Sequence, residues 1–366
     1  MTSNERPAIA IIIPGGIGTG KDNIGVPVLN QIVHRLANHY RVTVFSLASF
    51  NADFKPVDFE LIDASRGNSI TRSFRFPFLF RRHHKRNNFV AVHGFWVMPT
   101  GTLAVAVGKL FGIRSVVSAL GGDAVGVPHI NYGRLHKPMY RWITLLTLRH
   151  ADRINALTQY LVNNLRNAGL KRDVEVIPWG VDGSMFEYRP KPIATPVHFL
   201  HIGNFHPVKD QPMLILAFDL ISKSIPATLT IIGSGDMEPE IRSMISTLAL
   251  TDRVTIVEPV PYQQLPAFYH KADVLLHTSL SEGQCEVVTE AMSCGVVVCG
   301  TKVGLMHDLP EACVTVDIKM FESLAEEAIA LVNDPVRMND LRMKAHQWTL
   351  QHDIHWTVAK LIELYR

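Results

Sequence analysis

The 366-residue sequence has few cysteines, little net charge and no long apolar run. Its four cysteines lack the C-x-x-C spacing of metal and redox sites, so we expect reduced thiols and a cytoplasmic protein. The net charge of +3 and the lack of visible nucleic-acid-binding motifs predict no nucleic-acid partner. No apolar run reaches the roughly 18 residues that span a bilayer. We interpret the opening MTSNERPAIAIII as a first strand and not as a secretion signal.

Length and pattern predict two buried cores. The chain is about twice the usual size of one domain, and its 47% hydrophobic content excludes a disordered protein. Short Val/Ile/Leu runs alternate with helical segments in two successive series, which is typical of parallel sheets covered on both faces. We predict the α/β class, with a ligand cleft between two sheets. The predicted parts are an N-terminal domain (1–185), a C-terminal domain (196–350) and a final helix (351–366) that could cross back to the first domain; closely spaced prolines at 190–196 predict the hinge.

Acidic residues are missing from one long segment. Between Asp63 and Asp123 there is no Asp or Glu, whereas the segment holds nine Lys and Arg. Residues 72–86 interleave six of these cations with four phenylalanines at 74, 76, 78 and 80. Such a pattern fits an amphipathic surface on an anionic membrane. It equally fits phenylalanines packed in the N-terminal core beside a solvated basic face.

The first of three glycine-rich segments, GGIGTGKDN, has most of a P-loop. Its Gly20-Lys21 pair is followed by Asp22, where Mg²⁺ binding requires a Ser or Thr hydroxyl. The segment fits a flexible loop better, or a loop whose later part, around Gly25, approaches a ligand phosphate at a helix N-terminus. In the second segment, VVSALGGDAVG, Asp123 could accept a hydrogen bond from a substrate hydroxyl, or simply cap a helix.

The third segment, ADVLLHTSLSEGQCEVVTEAMSCGVVVCG, is predicted as strand, loop, helix and strand. Gly283 frees the loop backbone, and a helix is expected from about Cys285. The first amides of a helix have no intrahelical acceptor and carry positive partial charge, so a diphosphate could dock there without a metal. Glu290 follows Glu282 by a little over two helical turns, so both carboxylates could reach one ligand.

This third segment resembles the signature of the retaining glycosyltransferases of family 4, which have the GT-B fold of two Rossmann-like, doubly wound domains. Four further segments resemble the same family in the same order: ADRINALTQ, VEVIPWGVDGSMF, HIGNFHPVKDQPMLILAF and IIGSGDMEPEI. The resemblance therefore extends over nearly the whole chain.

The resemblance implies a site for a nucleotide-sugar donor, UDP- or GDP-linked. Glu290 would hydrogen-bond the donor ribose, Glu282 would contact the donor sugar or its phosphate, and Lys209 would pair with the phosphates. The implied catalytic residues are Glu282, Lys209 and Asp123. The implied donor-binding residues are Gly25, Asn204, Lys209, Gly283, Cys285, Glu286, Val287 and Glu290.

The chain departs from the family at three positions. Asn204 stands where the family usually has an arginine, Leu120 replaces the histidine of an H-G-x-D motif, and Glu286 occupies a position often held by asparagine. His93, at another predicted strand end, is a candidate replacement for the missing histidine, with plain structural packing as the alternative.

The resemblance implies a retaining glycosyltransferase that acts on a glycan or a lipid-linked acceptor, with no metal or other cofactor. An epimerase or hydrolase of nucleotide sugars, a non-catalytic sugar-nucleotide-binding protein and a P-loop phosphotransferase are the alternatives. The expected location is the cytoplasm, with peripheral contact to the inner face of the plasma membrane as a possibility.

Overall fold

The apolar runs of the N-terminal half form parallel strands. The structure, a computed structural model, describes residues 6–19 and 25–366, with the backbone alone at residue 69. The strands are β1 (Ala8–Ile13), β2 (Arg41–Ser46), β3 (Glu60–Asp63), β4 (Phe89–Phe95), β5 (Arg114–Ala119), β6 (Gly126–Val127), β7 (Tyr132–Gly133), β8 (Arg153–Ala156) and β9 (Glu175–Val176). The helices are α1 (Pro27–Leu36), α2 (Ser69–Asn87), α3 (Thr102–Phe111), α4 (Pro138–His150) and α5 (Gln159–Asn167).

Seven of these strands make one parallel sheet in the order β3-β2-β1-β4-β5-β8-β9. Strand β1 is fully buried along its length, as expected for a central strand with helices on both faces. The order runs outward from β1 in both directions, so it reverses between β1 and β4. In open α/β sheets, ligands bind outside the carboxyl ends of the strands at such a reversal.

The C-terminal half repeats this plan. Its strands are β10 (Val197–Ile202), β11 (Ala227–Ile232), β12 (Val254–Val257), β13 (Val274–His277), β14 (Val297–Thr301) and β15 (Val314–Val316), and its helices are α6 (Gln211–Ser224), α7 (Glu238–Thr247), α8 (Leu265–Lys271), α9 (Glu286–Cys294), α10 (Leu305–Asp308), α11 (Phe321–Val332) and α12 (Pro335–Gln351). The six strands are parallel in the order β12-β11-β10-β13-β14-β15. Here the order reverses between β10 and β13.

The last helix, α13 (Ile354–Tyr365), belongs to the N-terminal unit. This unit comprises the described residues up to Pro128, then Gly133–Trp179 and Ile354–Arg366, whereas the second unit comprises His129–Tyr132 and Gly180–Asp353. The divisions near 179 and 353 differ from those expected near 185 and 350. The proline-rich stretch at 190–196 lies within the second unit. Its Lys191 pairs with the buried Asp273 at 2.5 Å, which ties this stretch to the start of β13.

The four interleaved phenylalanines of α2 divide between core and surface. Phe76 and Phe80 are buried against Phe45, whereas Phe74 and Phe78 are 74% and 75% exposed. Residues two apart in sequence point about 200° apart on a helix, and residues four apart share a face. The core-packing interpretation therefore holds for Phe76 and Phe80, whereas membrane contact by the exposed face stays a prediction. None of the helices formed by the described residues combines the length and apolar character that a bilayer span requires.

Candidate active site

The C-terminal sheet brings three loops together at the carboxyl ends of its central strands. The loops follow β10, β13 and β14, which are neighbours in the sheet. The amide of Leu280 donates to the carbonyl of Val208 at 2.7 Å, and the hydroxyl of Thr278 donates to the carbonyl of Lys209 at 2.9 Å. These bonds fasten the first two loops to each other at the point where the strand order reverses.

An ion pair between Lys209 and Glu282 spans these two loops. The ammonium Nζ of Lys209 donates to Oε1 of Glu282 at 2.6 Å, and the hydroxyl of Ser279 donates to the same oxygen at 2.7 Å. Burial opposes ionisation of both groups, but the mutual attraction prevails: it lowers the pKa of Glu282 well below its usual range and raises the pKa of Lys209. Both groups are therefore charged at neutral pH. The structure brings together these two predicted residues, which are far apart in sequence.

Helix α9 begins beside this pair with an uncapped N-terminus. Its N-cap residue, Cys285, has φ of 81° and makes no side-chain cap. A non-glycine residue in this region of φ is uncommon and strained, and such residues cluster at functional sites. Among the described residues, the amides of Cys285 and Val287 have no hydrogen-bond acceptor. These donors add positive partial charge close to the ammonium of Lys209.

Two glutamates lie farther along α9. Glu286 is partly exposed; burial raises the pKa of its carboxyl, and a hydrogen bond to its own amide opposes this rise. Glu290 is buried, and the hydroxyl of Tyr269 donates to its Oε2 at 2.6 Å. Burial raises the pKa of Glu290 to about 7, although hydrogen bonds from Tyr262 and Tyr269 act in the opposite direction. Glu290 is thus held in place and only partly ionised at neutral pH.

The sequence did not identify several side chains of this site. His277 ends β13, is buried, and places its Nε2 3.5 Å from Oε1 of Glu282. Among the described residues, neither ring nitrogen makes a hydrogen bond of normal geometry. Two positions in the sequence could have indicated such residues: a histidine at a predicted strand end, His277, and a serine three residues before Glu282, Ser279. Tyr262 and Tyr269 gave no signal, because only the packing of α8 and of the 3-10 turn before it (Tyr262–Gln264) brings them to Glu290.

The donor atoms of His277, Glu282 and Cys285 form a group of potential metal ligands, all within 4.8 Å of one another. A cation bound there would compete with the ammonium of Lys209, which already contacts the glutamate. Burial also raises the pKa of the Cys285 thiol, which disfavours the thiolate that a metal requires. The arrangement therefore suits the lysine better than a metal ion.

The remaining predicted donor residues lie in both units. Gly283 is buried in the loop before α9, and Asn204 is exposed, with its carbonyl accepting a hydrogen bond from Gln211 at 2.8 Å. Gly25 lies in the N-terminal unit with φ of 65°, and an added Cβ would stand 2.3 Å from the carbonyl oxygen of Gly16. Only glycine fits there. The Gly20-Lys21-Asp22 part of the P-loop candidate lies outside the described residues.

Asp123 lies in the N-terminal unit and is engaged by backbone amides. Its Oδ2 accepts a hydrogen bond from the amide of Val97 at 2.6 Å, and its Oδ1 accepts from the amides of Leu120 and Gly121 at 3.3 and 2.9 Å. The carboxylate thereby joins the loops after β4 and β5. Its suggested contact with substrate stays a prediction, and the observed geometry supports a tethering role.

His93 packs within the core of the same unit. Its Nδ1 lies 2.8 Å from the hydroxyl of Tyr365, and its Nε2 lies 2.7 Å from the hydroxyl of Ser118. The ring is inaccessible, and burial lowers its pKa to about 3. Of the two interpretations of this histidine, the structure supports structural packing.

Two protein-family models match the chain in succession. Residues 25–180 match the model described as "Glycosyl transferase 4-like domain", and residues 187–348 match the one described as "Glycosyl transferases group 1". The chain consists of two glycosyltransferase domains. The predicted GT-B pair of Rossmann-like sheets is confirmed by this match and by the two sheet orders.

Known proteins resemble these glycosyltransferase domains in sequence or in fold. D-inositol 3-phosphate glycosyltransferase from Arthrobacter sp. (strain FB24) is 32% identical over 144 residues, which are 36% of this chain and 34% of that protein. The chain thus matches about a third of this relative's length. Sucrose-phosphate synthase from Thermosynechococcus elongatus has a TM-score of 0.80 at 20% identity, covering 99% of this chain and 98% of that one. HepE from Anabaena, in complex with UDP-glucose, has a TM-score of 0.75 at 16% identity, covering 97% and 98%. At these identities the structural likeness establishes the fold.

Proposed function

We propose that the chain transfers a sugar from a nucleoside diphosphate sugar to a hydroxyl of a glycan or lipid-linked acceptor, with retention of configuration at the anomeric carbon. The observation that carries the proposal is the Lys209–Glu282 pair beside the free amides of Cys285 and Val287. One ammonium and several oriented amides are the groups that bind a diphosphate. That HepE, which has this fold, binds UDP-glucose supports a UDP-linked donor, and the GDP-linked form is the second choice.

Lys209 and the α9 amides would act on the leaving group. In the proposed step, the bond between the anomeric carbon and the diphosphate oxygen breaks while the acceptor oxygen bonds to the same face of that carbon. The acceptor proton passes to the leaving phosphate oxygen. Negative charge grows on the diphosphate as the bond breaks, and preorganised donors that meet this charge lower the barrier. Glu282 keeps Lys209 charged and aimed at this position, and no metal is needed for this role.

The ribose would lie near Glu290. Its carboxyl is fixed by Tyr262 and Tyr269, so it offers one oriented group to the ribose hydroxyls. Glu290 lies about one turn into α9. With the ribose bound there, the diphosphate would lie at the N-terminus of the helix. The two carboxylates therefore serve different parts of one donor.

A thermal-shift screen of nucleotides, followed by turnover assays, tests this function. Ligands that bind only the folded chain stabilise it by mass action, so UDP or GDP should raise Tm, and the matching nucleotide sugar should be consumed in an acceptor-dependent reaction. Donor consumption without acceptor would indicate a hydrolase or epimerase. Stabilisation by nucleotide with no turnover for any acceptor would indicate a binding protein, and no stabilisation by any nucleotide would contradict the proposal.

We also propose that the exposed face of α2 contacts an anionic membrane. Phe74 and Phe78 are exposed on this face, and a groove of about 490 Å³ beside Phe78 has four arginines and one acid in its lining: Arg66, Arg72, Arg75, Arg82 and Asp63. Exposed aromatic side chains flanked by arginines suit the interface of an anionic bilayer. Such a contact would bring the enzyme to a lipid-linked acceptor.

Co-sedimentation with vesicles tests the membrane contact. The wild type should sediment with phosphatidylglycerol vesicles at low salt and be released at high salt, because the attraction is screened. The double variant Phe74→Ser/Phe78→Ser should bind several-fold less. Val336→Ser, which alters an 81% exposed residue of the second unit, is the matched control. Equal sedimentation of all three proteins would contradict the proposal.

A further inference from the structure

The N-terminal unit has a cavity of its own at the reversal of its strand order. This cavity, the switch-point pocket, has a volume of about 480 Å³. It is lined by Pro14, Trp96, Met98, Pro99, Gly122, Asp123, Gly133, Arg134, Lys137 and Tyr140. These residues follow the carboxyl ends of β1, β4 and β5, the edge at which open α/β sheets bind ligands. None of them is among the predicted donor-binding residues, and Asp123 is the member that was predicted as a catalytic residue.

The pocket is held open by backbone constraints. Trp96 has φ of 66°, a strained value for a bulky residue, which turns the loop after β4. The amide of Arg134 donates to the carbonyls of Gly122 and Val125 at 2.8 and 3.0 Å. Gly133 has φ of 81°, and a Cβ there would lie 2.3 Å from the carbonyl oxygen of Val125. The segment that carries Arg134 is thereby fixed against the loop after β5.

The pocket has one more cation than acid in its lining. Arg134 and Lys137 both line it, and among the described residues neither forms an ion pair. The acid in its wall, Asp123, already accepts three backbone amide hydrogen bonds. The guanidinium of Arg134 lies 5.2 Å from the centre of the Tyr140 ring, an arrangement that leaves its N–H groups free to meet an anion.

We propose that the switch-point pocket binds the phosphate group of a phosphorylated acceptor, with Arg134 and Lys137 as the phosphate-binding residues and Trp96 and Tyr140 beside the acceptor ring. The inference rests on the proposed function, because it takes the N-terminal pocket as the place of the acceptor. Two cations that form no ion pair, in a lining with a single carboxylate, attract the negative charge of a phosphate ester. A neutral glycan would leave this excess positive charge without a counter-charge in a partly enclosed space.

Binding of inorganic phosphate, measured by isothermal titration calorimetry on the full chain, tests the inference directly. Saturating UDP is present so that phosphate cannot bind at the donor site. If UDP does not bind, the titration is done instead on the Lys209→Ala variant, which lacks the cation of that site. Arg134→Gln and Lys137→Gln should each weaken phosphate binding about 10-fold or more. Arg149→Gln removes one exposed cation of α4 outside the pocket and should bind phosphate as the wild type does.

A second series identifies the source of the phosphate and the selectivity. Arg134-dependent binding of myo-inositol 1-phosphate, with uncharged myo-inositol failing to bind, supports a soluble phosphate monoester. Arg134-dependent binding of phosphatidylinositol vesicles alone supports a lipid headgroup. Phosphate affinity that is unchanged in both Arg134→Gln and Lys137→Gln overturns the inference, and so does acetate bound as tightly as phosphate.

The test separates this inference from the proposed function. Phosphate binding at the switch-point pocket is measured without turnover and without a donor sugar. If UDP and GDP fail to bind while Arg134-dependent phosphate binding remains, the donor assignment fails and the phosphate site stands. If UDP binds and a UDP-linked sugar is transferred while phosphate affinity does not depend on Arg134, the donor assignment stands and the phosphate site fails.

Discussion

The carboxyl edges of the two sheets have the same architecture but pair their charges differently. In the C-terminal sheet, the cation Lys209 is neutralised within the protein by Glu282 at 2.6 Å. In the switch-point pocket, Arg134 and Lys137 form no ion pair among the described residues, and the carboxylate of Asp123 in the same lining is bound by backbone amides. One edge is organised around an internal ion pair, and the other presents open charge.

The two arrangements suit different tasks: the ion pair of the C-terminal sheet suits stabilisation of a leaving group, and the unpaired cations of the switch-point pocket suit binding of a substrate. An internal ion pair keeps its cation ionised and oriented, so little reorganisation accompanies the growth of charge during reaction. Open cations gain more from binding, since no internal partner must be displaced. A non-glycine residue at positive φ lies beside the candidate site at each edge, Cys285 at the first and Trp96 at the second. At the first edge, the backbone amide of Cys285 would bind the diphosphate. At the second, the side chain of Trp96 would contact the acceptor.

The largest expected effect is that of Lys209→Ala on turnover. Removing one preorganised donor to a developing charge typically slows catalysis about 10²–10³-fold, and we expect a loss of that size in kcat. Lys223→Ala, which removes an exposed lysine paired with Asp219 in the same unit, is the control and should be near normal. Near-normal kcat in Lys209→Ala would remove the lysine from the mechanism.

Asp123→Asn should act on stability. The amide cannot accept all three backbone hydrogen bonds, and leaving a buried donor unsatisfied costs about 1–3 kcal/mol. We expect a fall in Tm of about 3–10 °C by differential scanning calorimetry. Asp340→Asn, at an exposed ion pair, should change Tm little. A 100-fold loss of kcat with unchanged Tm would instead make Asp123 a substrate-contacting residue.

Glu290→Gln should change the pH dependence of stability. Burial raises the pKa of Glu290 to about 7 from 4.5, so the folded chain binds more protons than the unfolded chain between these values. Its contribution to stability therefore decreases as pH rises through this window. We expect Glu290→Gln to exceed the wild type in Tm by a few degrees at pH 8 and to match it more closely at pH 5.

The control for this prediction is Glu258→Gln, at an exposed position of the same unit, which should follow the wild type at both pH values. A variant Glu290→Gln that loses stability equally at pH 5 and pH 8 would show that its carboxylate is stabilised in the folded chain, contrary to this account.

The smallest expected effect is that of relieving strain at Cys285. Glycine adopts positive φ at no steric cost, so Cys285→Gly should be more stable than Cys285→Ala by about 1 kcal/mol in chemical denaturation. Both variants lack the thiol, which makes them a matched pair. Both should keep turnover within a few-fold, because the diphosphate would use the amide. A large loss of turnover in both the alanine and the glycine variant would show that the thiol takes part in the reaction.

The sequence predicted the features that local pattern determines. Continuous apolar runs predicted both parallel sheets, and Gly283 followed by helical spacing predicted α9 within one residue of its observed start at Glu286. Glu282 and Lys209 were proposed from the family resemblance, and the structure places them in contact. Parallel neighbours such as β10 and β13 are distant in sequence, so no local rule reveals which loop ends meet.

The features that the sequence left open depend on long-range packing. The pairing of Glu290 with Tyr269 follows from how α8 lies against α9, and the three amides on Asp123 come from two separate loops. The phenylalanines of α2 illustrate the limit best. Their spacing of two predicts a division between faces once the segment is a helix, but composition alone does not say which face is buried.

The central claim is that a diphosphate binds at Lys209 and the start of α9. Calorimetric titration with UDP and with uridine, or with the guanine pair if GDP stabilises the chain better, measures the contribution of the diphosphate directly. We expect Lys209→Ala to weaken binding of the nucleoside diphosphate about 10-fold or more and to leave binding of the nucleoside unchanged. A nucleoside diphosphate bound by Lys209→Ala as tightly as by the wild type would contradict the claim.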